Sequence, residues 1–345
     1  MKKYPDQISD TAALEDLLSQ PTEAAVKMLS EIEGDIMFLG IGGKIGPTLA
    51  KMAKRACDQA GVKKRIHGVS LFESDQQRRQ IDALGIETIH GDLLDADFMK
   101  SLPKARNVFF LAGMKFGSEE NISLTWAVNS YLPALVADHF KESRIVAFST
   151  GCVYPLVPVE SGGSLETDPP VPVGEYAQSC LGRERMFEYG SKKHQTRVCL
   201  IRLNYSVELR YGVLVDIATK VRNQEAIDLS MGYFNVIWQG DVNDVVLRSL
   251  ELCDSPAKIL NITGEEILSV REVALEFGKI FHVRPEFFNK EAKTALLNNA
   301  QQAFQLFGRP KVSTRQIIQW IGDWIGEGRE TLGKPTHYEV RDGKY

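Results

Sequence analysis

Three glycines at intervals of three, Gly40, Gly43 and Gly46, stand between a short apolar run and a helical pattern. The run Asp35-Ile-Met-Phe-Leu39 is long enough for one buried parallel strand. After Gly40-Ile-Gly-Gly43-Lys44-Ile45-Gly46, the residues Leu49, Met52, Ala53, Ala56 and Cys57 recur at the spacing of one buried helix face. Such a turn lets the backbone pass close to a pyrophosphate, and the first N–H groups of the helix point at its charge. The chemistry implied is dinucleotide binding by Gly40, Gly43, Lys44, Ile45 and Gly46. A tight strand-to-helix turn without a ligand is the alternative.

The elements needed to hold such a loop are legible along the chain. Strands are expected near 35–39, 65–71, 86–89, 107–111, 144–149 and 197–203, with helices between them. This alternation predicts an α/β fold, a Rossmann-type doubly wound parallel sheet with a smaller C-terminal substrate lobe. Residues 1–33 read as an N-terminal helical extension of one or two amphipathic helices, broken at Gln20-Pro21-Thr22. The dinucleotide-binding domain is expected over 34–204, with 233–262 returning to it. The substrate lobe and tail would comprise 205–232 and 263–345, with Thr336–Tyr345 as a polar tail. Tyr154–Val173 holds five prolines and Gly162-Gly163, the composition of an ordered loop over a cleft.

Composition narrows the function classes. A chain of 345 residues can bury a large core. The net charge of −4, with acids and bases interspersed, gives no nucleic-acid signature. No run approaches the ~20 apolar residues of a membrane span. The five cysteines (Cys57, Cys152, Cys180, Cys199 and Cys253) are odd in number and lack metal-ligand spacing, which predicts a reduced, cytoplasmic protein and no metal site.

The pattern Gly40, Gly43, Gly46 resembles the GxxGxxG loop of the extended short-chain dehydrogenase/reductases, the NAD-dependent epimerase/dehydratase family. The resemblance runs in order over roughly residues 34 to 285. Gly91-Asp92-Leu93-Leu94-Asp95 is similar to the family's adenine-contacting turn, and Asn107-Val-Phe-Phe-Leu-Ala112-Gly113 to its fourth strand. Ala112-Gly-Met-Lys115-Phe-Gly117 is similar to the epimerase loop in which a lysine reaches the cofactor phosphates. Trp126-Ala-Val-Asn129 resembles the helix-borne asparagine, and Phe148-Ser149-Thr150-Gly-Cys-Val-Tyr154 the active-site Ser/Thr strand. Trp238-Gln-Gly-Asp-Val-Asn-Asp244 and Ile259-Leu-Asn-Ile-Thr-Gly264 resemble two later family segments.

What the resemblance implies is chemistry at a substrate hydroxyl. Tyr176 would be the acid/base, with Thr150, and Ser149 beside it, holding the reacting oxygen. In the family the fourth residue after the tyrosine is a lysine that lowers the phenol's pKa; here it is Cys180. An unperturbed phenol titrates near ~10, so base work at neutral pH needs such help. Residues 176 and 180 share one helix face, and Cys180 reads as a small buried hydrophobe or, less commonly, a nucleophile. Arg183, two turns on, is either a surface arginine or a substitute cation. Lys115 would clamp phosphate or stay solvated, Asn129 would be a buried polar residue, and Asp92 would touch adenine or cap the next helix. Ser70 stands where an acid would select NAD; with Lys44 near, the cofactor is NAD or NADP, leaning to NADP. Glu73 or Asp75 would restore NAD preference.

Three functions remain open. The first is an NAD(P)-dependent oxidoreductase or epimerase acting on a sugar or sugar-like small molecule by hydride transfer. The second is a non-catalytic dinucleotide-binding sensor with a degenerate site, and the third an interaction module. The resemblance also implies a homodimer through the helices that carry Asn129 and Tyr176. The segment Ile201-Arg-Leu-Asn-Tyr-Ser-Val207 departs from the family's substrate segment, so the substrate is open.

Overall fold

The computed structural model describes residues 4–115 and 117–344. Seven parallel strands form the central sheet: β1 (Ile36–Leu39), β2 (Ile66–Ser70), β3 (Glu87–His90), β4 (Asn107–Phe110), β5 (Arg144–Thr150), β6 (Arg197–Leu203) and β7 (Lys258–Ile262). Their order is β7-β6-β5-β4-β1-β2-β3. β1 and β4 are buried along their whole length, as continuous apolar strands between helical layers must be. β3, at the sheet edge, carries Glu87, Thr88 and His90, and none of its residues is buried. Phe38 and Phe109, on the neighbouring β1 and β4, stack at 4.8 Å. The strand order reverses between β1 and β4, which opens a crevice at their carboxyl ends.

The N-terminal segment forms two helices, Thr11–Leu18 capped by Asp10 and Glu23–Glu31 capped by Thr22. They pack on the helix Gln239–Arg248. The Thr22 hydroxyl donates to Asp244 at 2.5 Å, and Asn243 donates to the Leu18 carbonyl at 3.0 Å. Leu14 and Leu18 enter the core of the second lobe, while Ala25, Met28 and Leu29 enter that of the sheet. These helices therefore join two cores. The second lobe is built on the helices Val213–Arg222, Val270–Phe281 and Thr314–Gly326, around Trp238, Trp320 and Trp324.

The expected polar tail is a strap pinned to the surface of the chain by a few buried residues. Leu332 N–H donates to the Arg210 carbonyl, Thr336 and Tyr338 are almost fully buried, and the Arg341 guanidinium donates to the Thr294 carbonyl at 2.8 Å. At its end Gly343 presses on Val173 and Gly174, where the helix Gly174–His194 begins. Among the described residues no helix is long and apolar enough to cross a membrane, and no cluster of side chains could hold a metal ion. All five cysteines are free thiols.

Candidate active site

The cleft has one wall made by backbone and one made by side chains. On the first, β1 ends in Gly40 at φ +89°, where a Cβ would lie 2.6 Å from Ala112 N. Gly46 opens the helix Gly46–Gln59, and a Cβ there would run into the Ile41 carbonyl. Both glycines are demanded by the chain itself. Gly43 is different. It is exposed, and a Cβ on it would find nothing nearer than the Gly40 carbonyl at 3.5 Å. No collision with the turn requires a glycine there, so the position suits backbone kept bare for a ligand. The helix start at Gly46 has no side-chain cap, which leaves its first N–H groups for an anion. A dinucleotide diphosphate fits this cradle. Ile45 lines the same cleft.

The adenosine end departs from the expectation in detail. Ser70 ends β2 with its hydroxyl 2.7 Å from where a Gly42 Cβ would stand, and Gln77 donates to the Gly42 carbonyl at 2.9 Å. Asp92 is exposed and accepts from Leu94 N–H at 2.9 Å, while Leu93 is buried. The cap of the next helix is Asp95, not Asp92. Lys44 is not a partner of this end. Its side chain crosses to the second lobe, with Nζ 3.6 Å from the centre of the Tyr211 ring, which removes the cation on which the lean to NADP rested.

On the second wall, β5 ends at Thr150 and the helix Gly174–His194 begins two residues before Tyr176. The Tyr176 phenol lies within hydrogen-bonding range of the Thr150 hydroxyl and the Cys180 thiol. Burial drives the phenol well above its ordinary range, the neighbouring thiols of Cys180 and Cys152 add to this, and Arg183 and Thr150 pull it down. Burial also pushes the Cys180 thiol up to about 11, so it is neutral and unsuited to nucleophilic attack. Thr150 additionally accepts from Cys152 N–H at 3.1 Å. Ser149, although beside the cleft, donates its proton to Glu184 at 2.5 Å. Glu184 forms a fully buried ion pair with Arg202 at 2.7 Å, and Arg202 donates to the Tyr154 hydroxyl at 2.6 Å. Ser149 thus belongs to a buried polar anchor beneath the site.

Arg183 is not a surface residue. It is 5 % exposed, and its guanidinium donates to the Phe148 carbonyl at 2.7 Å and to Asn129 Oδ1 at 2.6 Å. It lies 2.7 Å from where a Cβ on Gly113 would sit. Asn129, in a π-helical turn at Ala127–Tyr131, also accepts from Met114 N–H at 2.9 Å and donates to the Met114 carbonyl at 2.8 Å. Asn129 and Arg183 together fix the loop after β4, Ala112-Gly113-Met114, at the cleft floor. Lys115, next along, donates to the Thr336 carbonyl of the strap at 2.9 Å, and burial lowers its pKa. Cys152, Tyr205, Tyr211 and Thr336 also border the cleft, a cavity of about 270 Å³. None was singled out from sequence. Tyr205 stands in the divergent 201–207 segment; Thr336 carries no local signal.

The parallel sheet, its glycine-turned crevice and the Tyr-Thr pair above it define a Rossmann-type protein of the extended short-chain dehydrogenase/reductase kind. Residues 36–207 match the NAD dependent epimerase/dehydratase family, and to that family the chain belongs. No curated protein matches it in sequence. Among solved structures it is similar to the UDP-Glc/GlcNAc 4-epimerase of Campylobacter jejuni (TM-score 0.70, 18% identity, over 85% of this chain and 99% of that one). A mutant UDP-glucuronic acid 4-epimerase from Bacillus cereus, in complex with UDP-4-deoxy-4-fluoro-glucuronic acid and NAD, is similar at TM-score 0.69 and 15% identity, over 85% and 99%. The Thermus thermophilus UDP-glucose 4-epimerase complex with NAD is similar at TM-score 0.67 and 18% identity, over 84% and 98%.

Proposed function

We propose that the chain is an NAD-dependent oxidoreductase or epimerase acting on a hydroxyl group of a sugar or sugar-like compound. The observation that carries this reading is the meeting of the Tyr176 phenol and the Thr150 hydroxyl across from the bare Gly43 backbone. The backbone of Gly40, Gly43 and Gly46 would hold the dinucleotide's diphosphate, with Lys115 as its cation and Ser70, Asp92 and Leu93 at the adenosine. NAD is favoured over NADP because the structural neighbours are described with NAD, and because Lys44 faces the second lobe. When bound, NAD supplies a hydride acceptor and, reduced, a donor. The chain's own part is the proton. Tyr176, kept protonated by burial, donates to a carbonyl oxygen or hydrogen-bonds an alcohol, and Thr150 holds that oxygen in line. With its pKa raised, the phenol is a ready acid and a weak base at neutral pH, so oxidation of an alcohol should accelerate as pH rises.

A second reading keeps the dinucleotide and drops the turnover. A buried thiol at position 180 and a phenol held high favour a sensor whose output is conformational. Mass spectrometry of the species retained in purified protein, followed by turnover of bound NAD or NADH against a panel of sugars, separates the two. Binding without turnover of any hydroxy or keto compound would favour the sensor.

A homodimer is part of the proposal. The helix Ile122–Trp126, its π-helical continuation Ala127–Tyr131 and the helix Gly174–His194 present Trp126, Tyr131 and Tyr189 to solvent, whereas Phe187 is turned into the chain's own core. Light scattering returning the mass of one chain at micromolar concentration would overturn it.

A further inference from the structure

Three cations line the cleft, Lys44, Lys115 and Arg183, and among the described residues no carboxylate does. Two of them are engaged nearby. Arg183 is bonded to Phe148 and Asn129, and Lys115 to the strap carbonyl beside the loop after β4. Lys44 leaves the glycine loop and reaches the face of Tyr211 in the second lobe. The acid nearest to it in influence, Glu208, is buried and bonded to Arg210, both through the Arg210 backbone N–H at 3.0 Å and through Nε at 3.3 Å. Among the described residues no carboxylate forms an ion pair with Lys44, so its ammonium is incompletely compensated in a buried setting.

The strap closes the same chamber. Thr336 N–H and hydroxyl donate to Asp216 at 2.8 and 2.6 Å, and Leu332 is pinned to the Arg210 carbonyl. The cavity of about 270 Å³ lies at the small end for a ligand site. A single acidic group would complete the charge balance of Lys44.

Resting on the oxidoreductase reading above, we propose that the substrate is a small hydroxy compound bearing its own anionic group, a carboxylate or a phosphate. That group is held by Lys44 beneath the strap. A second property supports the geometry. Burial holds the Lys44 ammonium down to about 7; Glu208 and Asp216 pull it up, and Lys115 and Arg210 push it down. Tyr211 offers its ring face and no formal charge. An arriving anion raises that pKa, so binding at pH 8 takes up a proton.

The test is calorimetry on the full chain saturated with NAD, titrated with gluconate, glucose 6-phosphate, glucose and UDP-glucose. At least one of the two acids should bind measurably more tightly than glucose, and gluconate against glucose 6-phosphate tells carboxylate from phosphate. At pH 8, heats in two buffers of different ionisation enthalpy should report uptake of up to about one proton per anion bound. Lys44→Met should weaken the acid about ten-fold or more while leaving NAD affinity within roughly two-fold, and Lys44→Arg should restore most of the loss. The proposal is overturned if neither acid binds, if glucose binds as tightly, if UDP-glucose alone binds, or if no proton is taken up by the parent protein. It is overturned equally if Lys44→Met weakens NAD as much as the acid. Failure of the parent protein to bind any dinucleotide would instead sink the oxidoreductase reading, and this one with it.

Discussion

The two walls of the cleft follow different rules. At the glycine loop, position is enforced by backbone: Gly40 by its left-handed φ and the approach of Ala112, Gly46 by the Ile41 carbonyl. At the acid/base wall, position is enforced by buried side chains: Ser149, Glu184, Arg202 and Tyr154 beneath, and Asn129 and Arg183 at the floor. The first wall carries glycines at intervals of three, and the second carries a thiol, Cys180, one helical turn after Tyr176. A bare backbone has few acceptable alternatives. A network of side chains can exchange one member while its geometry is held by the others.

Breaking the acid/base wall should give the largest effect. Tyr176→Phe is expected to lower kcat by about 100- to 10,000-fold while NAD affinity, measured by calorimetry, stays within roughly two-fold. Unchanged turnover would remove Tyr176 from the mechanism. In the parent enzyme the rate of alcohol oxidation should still be climbing at about pH 9, because burial holds the phenol above its usual pKa near ~10; a plateau near neutrality would contradict the assigned proton transfer.

The anchor beneath that wall comes next. Glu184→Gln leaves the buried Arg202 without its carboxylate and should cost roughly 3 to 5 kcal/mol in denaturant unfolding. A loss under about 1 kcal/mol would mean that the network is not what holds Thr150 and Tyr176 in register.

The glycine pair sharpens the contrast within one loop. Gly40→Ala should destabilise the fold by about 1 to 3 kcal/mol, because both φ and space forbid it. Gly43→Ala should change stability by no more than about 0.5 kcal/mol, yet weaken NAD by on the order of ten-fold, since its methyl group would enter ligand space. Equal effects on stability would erase the distinction drawn between chain-demanded and ligand-demanded glycines. The smallest effect is expected at Cys180. With its thiol at about 11 and fully buried, Cys180→Ala should alter kcat by less than roughly three-fold; a large loss would reopen a nucleophilic role.

Much of the sheet was legible: β1 to β6 fall within a residue of the expected spans, with β1 and β4 as largely apolar buried runs. β7 was visible only through its resemblance to a family segment. The surface alternative for Arg183 fails for a physical reason. The helix Gly174–His194 buries Ser179, Arg183, Glu184 and Ser191 among its inward residues, so hydrophobic periodicity says little about which face is inside. The strap was illegible because its anchors are long-range bonds, from Thr336 to Asp216 and from Arg341 to Thr294, on a segment with no helix or strand period. The local fold gives no account of the glycine at position 43, since the turn itself leaves room for a side chain there.

The strap also bears on how this site could be inherited. The family-matching segment, 36–207, contains the glycine loop, Thr150 and Tyr176, whereas Tyr211 and Thr336 lie outside it. A hybrid that joined this segment to the remaining half of a relative would carry over the glycine loop, Lys44, Thr150 and Tyr176 together. It would take the far wall of its chamber from the other parent. Under the proposed reading the substrate's anion would then meet Lys44 from one parent and whatever stands at the place of Tyr211 from the other, so the far wall can change while the glycine loop stays.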